Sequence, residues 1–189
     1  MPKIITGTAK GKILDTLAGD ATRPTSERIK EAMFSSIQFD IENRRVLDVF
    51  AGSGQLGLEA LSRGAESCMF IDSSREAIEI VKKNAVKTGF DSKCKYIVSD
   101  ARNYIRKASG RAVFDLVFID PPYALECAGE VMRKLEEKEL LADGAIIVCE
   151  SGTEVIDPQG FANFEVTKSK QYGKMTALNI FIYRKPKEA

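Results

Sequence analysis

Five short apolar runs punctuate the middle of the chain: Arg45 to Val49, Cys68 to Ile71, Tyr96 to Val98, Leu116 to Ile119 and Ala145 to Cys149. A helix-patterned stretch follows most of them. Runs such as Leu116-Val117-Phe118-Ile119 carry no polar residue at alternate positions. A strand with one wet face would alternate, so these suit strands covered on both faces, and the repeated strand–helix order is that of a parallel sheet. The expected fold class is α/β, a doubly wound, Rossmann-like sheet. Near the C-terminus, Phe164-Glu165-Val166 and Leu178 to Tyr183 come without a long helix between them, which predicts a terminal antiparallel hairpin. Upstream, Thr25-Ser26-Glu27-Arg28 opens a helical pattern to about Ile41, with Ile29, Met33 and Ile37 on one face. Residues 3 to 17 hold Ile4-Ile5, Gly7, Gly11 and Ile13-Leu14, a short β-hairpin that reads as an appendage more than as core. The expected organisation is a hairpin over residues 1–22 ahead of one domain over 23–189.

A length of 189 residues allows one domain with a small appendage and leaves no room for a second enzyme domain. With 28 Lys+Arg against 27 Asp+Glu, bulk charge predicts no partner, so any nucleic-acid contact must come from a local patch. The chain has no histidine, which removes Ser-His-Asp and Cys-His catalysis. Cys68, Cys94, Cys127 and Cys149 are widely spaced and form no CxxC pair, so no metal site is expected. No apolar stretch approaches the ~20 residues of a membrane span, and Met1-Pro2-Lys3 does not open a signal peptide. The expected location is cytoplasmic, without membrane contact.

Asp48-Val49-Phe50-Ala51-Gly52-Ser53-Gly54-Gln55-Leu56-Gly57 joins the first strand to a helix. Its glycines let the backbone turn tightly and approach a ligand. By themselves they also fit a nicotinamide dinucleotide. Asp48, however, would repel a pyrophosphate and attract the ammonium of a methionine moiety. Asp72, with Ser73 after it, ends the second strand, where an acidic residue can receive both ribose hydroxyls. Asp100, followed by Ala101, ends the third and could accept an adenine amine. As single residues, Asp72 and Asp100 read equally well as helix N-caps. Together with Asp48, Ala51, Gly52, Ser53, Gly54 and Gly57 they outline a crevice for a sulfonium cofactor carrying ribose and adenine.

At a fourth strand end stands Asp120-Pro121-Pro122-Tyr123. The prolines fix φ and supply no N–H, which leaves a stiff backbone with outward carbonyl acceptors. A planar group bearing an amine fits there: Asp120 and a proline carbonyl take its N–H bonds while Tyr123 stacks on its face. The alternative is a proline-rich turn with Tyr123 on its rim.

These segments resemble the class I S-adenosylmethionine-dependent methyltransferases, and most closely the bacterial small-subunit (16S) ribosomal RNA guanine-N2 methyltransferases of the RsmD type. The likeness rests on Ile4-Ile5-Thr6-Gly7 with Gly11-Lys12, on Arg23 to Arg28 with Glu31 and Phe34, on Asp48 through Ala65, on Asp120 to Tyr123 and on Tyr172-Gly173. Tyr123 stands where members often carry phenylalanine, and Thr6 where glycine is usual. The resemblance implies a seven-stranded sheet with an antiparallel last strand, S-adenosyl-L-methionine as cofactor, and ribosomal RNA as partner, free or in an assembling small subunit. It also implies an RNA grip by the hairpin and the Arg-Pro-Thr segment, through Lys3, Lys10, Lys12, Arg23, Thr25 and Arg28.

The expected reaction is methylation of the exocyclic N2 of guanine, with Asp120, Pro121, Pro122 and Tyr123 as the catalytic element. Guanine offers two adjacent donors, which suit a carboxylate, whereas adenine offers a donor beside an acceptor, which suits an amide better. Adenine N6 methylation of DNA or RNA stays open, because Asp-Pro-Pro-Tyr also occurs in adenine methylases. A nicotinamide-dependent oxidoreductase and a silent cofactor-binding scaffold are the remaining readings. The position of Asp48 weighs against the first, and an intact Asp120 to Tyr123 element against the second.

Overall fold

The computed structural model describes residues 2–17, 27–108, 113–122, 125, 127–152, 156, 160–173 and 176–186. After α1 (Glu27–Ser36), strands and helices alternate: β1 (Arg45–Asp48), α2 (Gln55–Ser62), β2 (Ser67–Asp72), α3 (Arg75–Thr88), β3 (Cys94–Val98), α4 (Ala101–Lys107), β4 (Phe114–Ile119), α5 (Ala128–Glu137) and β5 (Leu141–Ser151). The chain closes with β6 (Phe164–Tyr172) and β7 (Thr176–Tyr183). One seven-stranded sheet results, in the order β3-β2-β1-β4-β5-β7-β6. The pairs among β1 to β5 are parallel, and β7 runs antiparallel to both β5 and β6. This is the Rossmann-like sheet with an antiparallel last strand.

Neighbouring strand residues pack into different cores, as the unbroken apolar runs require. Val46, Phe70, Leu116 and Phe118 join Phe34 of α1, Leu58 of α2 and Val81 of α3 on one face. Leu47, Ile71, Val117 and Ile119 meet Ile105 of α4 and Val131 and Leu135 of α5 on the other. The helix expected to run to Ile41 stops at Ser36, and Ile37 and Ile41 are buried beyond its end by the turn that feeds β1. No helix among the described residues is long and apolar enough to cross a membrane.

The N-terminal hairpin is closed by an antiparallel bridge between Lys3 and Ile13, and Ile4 and Leu14 lie in the same core as α1, α2 and α3. Its inner edge is held by side chains of α2. Glu59 accepts the N–H groups of Ile5 (2.7 Å) and Thr6 (3.0 Å), and the Ser62 hydroxyl donates to the Thr6 carbonyl while accepting from Ala9 N–H. Thr6 is therefore fixed through its backbone, with its side chain exposed.

Candidate active site

Strand register decides how the four carboxylates sit. Asp48 pairs with Phe70 on β2 and Phe118 on β4, so Asp72 and Asp120 each stand two residues further along their strands. Asp72 pairs with Val98, which puts Asp100 two residues further again. Two residues of strand are ~6.6 Å, one layer of side chains. Asp48 thus lies beneath the crevice floor, only 2% exposed, while Asp72, Asp100 and Asp120 are partly exposed above it.

Asp48 Oδ2 accepts the N–H of Gly57 at 3.0 Å, which anchors the first turn of α2. Between two phenylalanine positions, its carboxyl is pushed up to about 7, first by burial and further by the charge of Asp72, against the pull of the Gly57 bond. Gly57 has no room for anything larger: a Cβ there would lie 2.4 Å from the Phe70 ring and 2.6 Å from Cys68 Sγ. In this structure Gly57 brings α2 against β2, and its link to the site runs through Asp48.

Asp72 is more open. Oδ2 accepts Gly52 N–H (2.9 Å) and Oδ1 accepts Ser74 N–H (2.8 Å), so the carboxylate pins the glycine loop to the start of α3. Each oxygen still has a lone pair for a hydroxyl. The N-cap of α3 is Ser74, not Asp72, and Ser73 is exposed beside it. Gly52 adopts the left-handed region (φ 52°), and a methyl group placed on it would meet nothing within 4 Å, so the space over the loop is open. Ala51 N–H bonds the Ile71 carbonyl, and Gly54 N–H bonds that of Ala51. Asp100 caps α4 by accepting Asn103 N–H (3.0 Å) and faces Arg102 at 3.5 Å, while Ala101 after it is buried. Two spaced carboxylates and an open glycine loop fit a cofactor with a ribose and an amine-bearing ring.

Asp120 follows the last residue of β4, partly buried, and Pro121 is buried against the fold. The carbonyl of Pro122 accepts Leu125 N–H at 2.7 Å, which consumes it in the turn. Among the described residues no hydrogen bond reaches the Pro121 carbonyl. Tyr123 lies outside the described residues, as do Arg23 and Thr25.

The chain matches the family described as "Conserved hypothetical protein 95" over residues 2–181. It belongs to that family. The Bacillus subtilis protein YlbH is 35% identical over 184 residues, covering 97% of this chain and 98% of its own. The Escherichia coli K12 protein named "Ribosomal RNA small subunit methyltransferase D" is 33% identical over 175 residues, covering 92% and 86%. The solved structure of the Escherichia coli protein yhhF superposes with a TM-score of 0.85 at 32% identity, covering 97% of this chain and 98% of that one.

Within this family fold, two residues that sequence reasoning passed over tie the site to the hairpin. Asn84 of α3, fully buried, donates to the carbonyls of Ser53 in the glycine loop (2.9 Å) and Asp15 (3.0 Å), and accepts Asp15 N–H (2.8 Å). Glu59 holds the other side of the hairpin as described. Of the expected RNA-contacting residues, Lys3 pairs with Glu27 at 3.6 Å and the Lys12 ammonium donates to the Lys87 carbonyl at the end of α3. Lys10 and Arg28 are exposed and form no ion pair among the described residues.

Proposed function

We propose that the protein transfers the methyl group of S-adenosyl-L-methionine to the exocyclic N2 amine of a guanine in small-subunit ribosomal RNA. The observation that carries this reading is Asp120-Pro121-Pro122 at the end of β4, beside the glycine loop, in a chain whose relatives include a named small-subunit ribosomal RNA methyltransferase. Asp72 and Asp100, with Ala51 to Gly54 and Ser73, would hold the cofactor, while Asp48, Gly57 and Ala101, expected as direct contacts, are buried and would shape the crevice beneath it. When bound, the cofactor supplies an electrophilic methyl on a sulfonium.

The protein's part is to make a poor nucleophile act. The N2 lone pair is delocalised into the guanine ring, so the site must accept both amine protons and leave the lone pair aimed at the methyl. Asp120 and the Pro121 carbonyl are those acceptors. They stabilise the positive charge developing on N2, and Asp120 then takes the released proton and passes it to water. Tyr123 stacks on the ring and holds its plane. The base must leave any stack to reach this depth, which favours a flipped or unpaired target. Lys3, Lys10, Lys12, Arg23, Thr25 and Arg28, with the hairpin over residues 1–22, grip the RNA, free or in an assembling small subunit. Such a substrate places the protein in the cytoplasm.

Asp120→Ala tests the assignment. Single-turnover methyl transfer to unmodified 16S RNA should fall by ~100-fold or more, while calorimetric binding of S-adenosylhomocysteine persists. A variant that keeps its rate removes Asp120 from the reaction.

A further inference from the structure

We propose that the groove between the start of α1 and the end of β6 holds one nucleotide of the RNA strand flanking the target guanine, with Lys170 and Arg28 on its phosphate and Tyr172 against its base. The inference rests on RNA being the substrate, and it adds a contact on the side of the molecule opposite the third strand of the sheet.

The groove measures about 310 Å3 and is lined by Arg28, Ile29, Lys170, Gln171, Tyr172 and Gly173. Its volume is at the small end for a ligand site, which suits one nucleotide and not a duplex. No carboxylate lines it among the described residues. Glu27, the nearest acid in sequence, pairs with Lys3 of the hairpin, so the groove and the hairpin flank the same end of α1. Neither Arg28 nor Lys170 forms an ion pair among the described residues.

Register places this groove beside the reaction. Ile119, just before Asp120, pairs with Cys149, Cys149 with Asn179, and Asn179 with Ser169. Lys170, Gln171 and Tyr172 therefore extend past the level at which β4 ends, on the edge of the sheet that carries Asp120. Three strand spacings of ~4.8 Å separate the two, about 14 Å. A strand of RNA whose guanine occupies the site at Asp120 reaches the groove with a neighbouring nucleotide.

The side chains face the right way. Lys168, Lys170 and Tyr172 alternate along β6, and Lys168 donates to the Ser36 hydroxyl on α1. Tyr172 packs at the margin of the core beneath α1, and the Lys170 ammonium stands 5.3 Å from its ring centroid. A cation beside an aromatic face is the pairing that single-stranded nucleic-acid sites use for phosphate and base.

The test is fluorescence anisotropy with a labelled 12-nucleotide single-stranded RNA, and with a duplex RNA of the same length, over a range of salt. R28A/K170A changes only exposed side chains and should bind the single strand at least 10-fold more weakly, with the log–log salt slope reduced by roughly 1.4, about 0.7 per lost contact. Tyr172→Leu should weaken it by roughly 5- to 150-fold, with Tyr172→Phe near wild type. Equal affinity and slope in wild type and R28A/K170A overturn the proposal, as does an equal loss with duplex RNA, which would mark a general cationic surface. Methyl transfer separates the two readings. If wild type methylates 16S RNA and R28A/K170A does so with the same KM, the groove is wrong and the activity stands. If wild type binds S-adenosylhomocysteine yet methylates no RNA, the activity falls and the groove with it.

Discussion

Lys30 of α1 and Glu59 of α2 form an ion pair at 3.1 Å with side chains only 3% and 0% exposed. Burial pulls the Lys30 ammonium below the usual lysine range, and Glu59 opposes that pull. The pair is also a junction. Lys30 donates to the Lys3 carbonyl at 2.8 Å, and Glu59 takes two hairpin N–H groups and the Arg63 guanidinium. Through these bonds a helix, a hairpin and the helix after the glycine loop are locked together.

Removing Glu59 leaves the buried Lys30 charge unpaired and, here, two part-buried N–H donors without their acceptor. Glu59→Ala should cost about 3–5 kcal/mol, and Lys30→Met, which removes a charge and keeps the volume, should cost less. Urea unfolding midpoints at constant m-value check the order. A Glu59→Ala protein as stable as wild type would contradict the junction.

Asp48 gives the unliganded protein a definite pH dependence. Its carboxyl is raised from an ordinary 3.8 to about 7, so the folded state binds the extra proton between those values. Its stabilising contribution is complete below about pH 4 and is lost as pH rises through about 7, by up to ~4 kcal/mol. Asp48→Asn should flatten that fall. Urea titrations at pH 5 and pH 8 on both proteins measure it, and an equal pH dependence in the two would assign the effect to other groups.

Asp72 holds the glycine loop to the start of α3 and, in the proposed function, also receives the ribose hydroxyls. Asp72→Ala loses that proposed acceptor, for which the expected cost is about 1.5–3 kcal/mol per bond in S-adenosylhomocysteine binding. It also frees Gly52 and Ser74 N–H groups, which should lower the melting temperature without ligand. Calorimetry and melting together tell them apart. Unchanged affinity removes Asp72 from the cofactor site even if the protein melts earlier.

The short apolar runs were enough to read the order of β1 to β5 and the helices between them, because β1, β2, β4 and β5 are buried on both faces and have a distinctive composition, while β3, at the sheet edge and only partly buried, showed through Tyr96-Ile97-Val98. β6 was legible only at Phe164 to Val166. Beyond them it is an edge strand of polar and exposed residues that β7 pairing, not composition, keeps extended to Tyr172. Four acidic residues at strand ends were also legible, but their depth was not. Parallel register is set by the crossovers, and it sinks Asp48 one layer below Asp72 and Asp120. Asn84 left a signal that could have been used: it sits with Ile78, Val81 and Ala85 on the buried stripe of α3, where a polar side chain must have internal partners. Glu59 left none as clear, since nearly every residue of the short α2 is buried.

The most direct measurement is the identity of the modified nucleoside. Unmodified 16S RNA, small ribosomal subunits and DNA are each incubated with the protein and methyl-labelled S-adenosylmethionine, digested to nucleosides and resolved by mass spectrometry. Label is expected in N2-methylguanosine from the ribosomal substrates and none from DNA. Label in N6-methyladenine, or no transfer to any ribosomal substrate by a protein that binds S-adenosylhomocysteine, would contradict the proposed function.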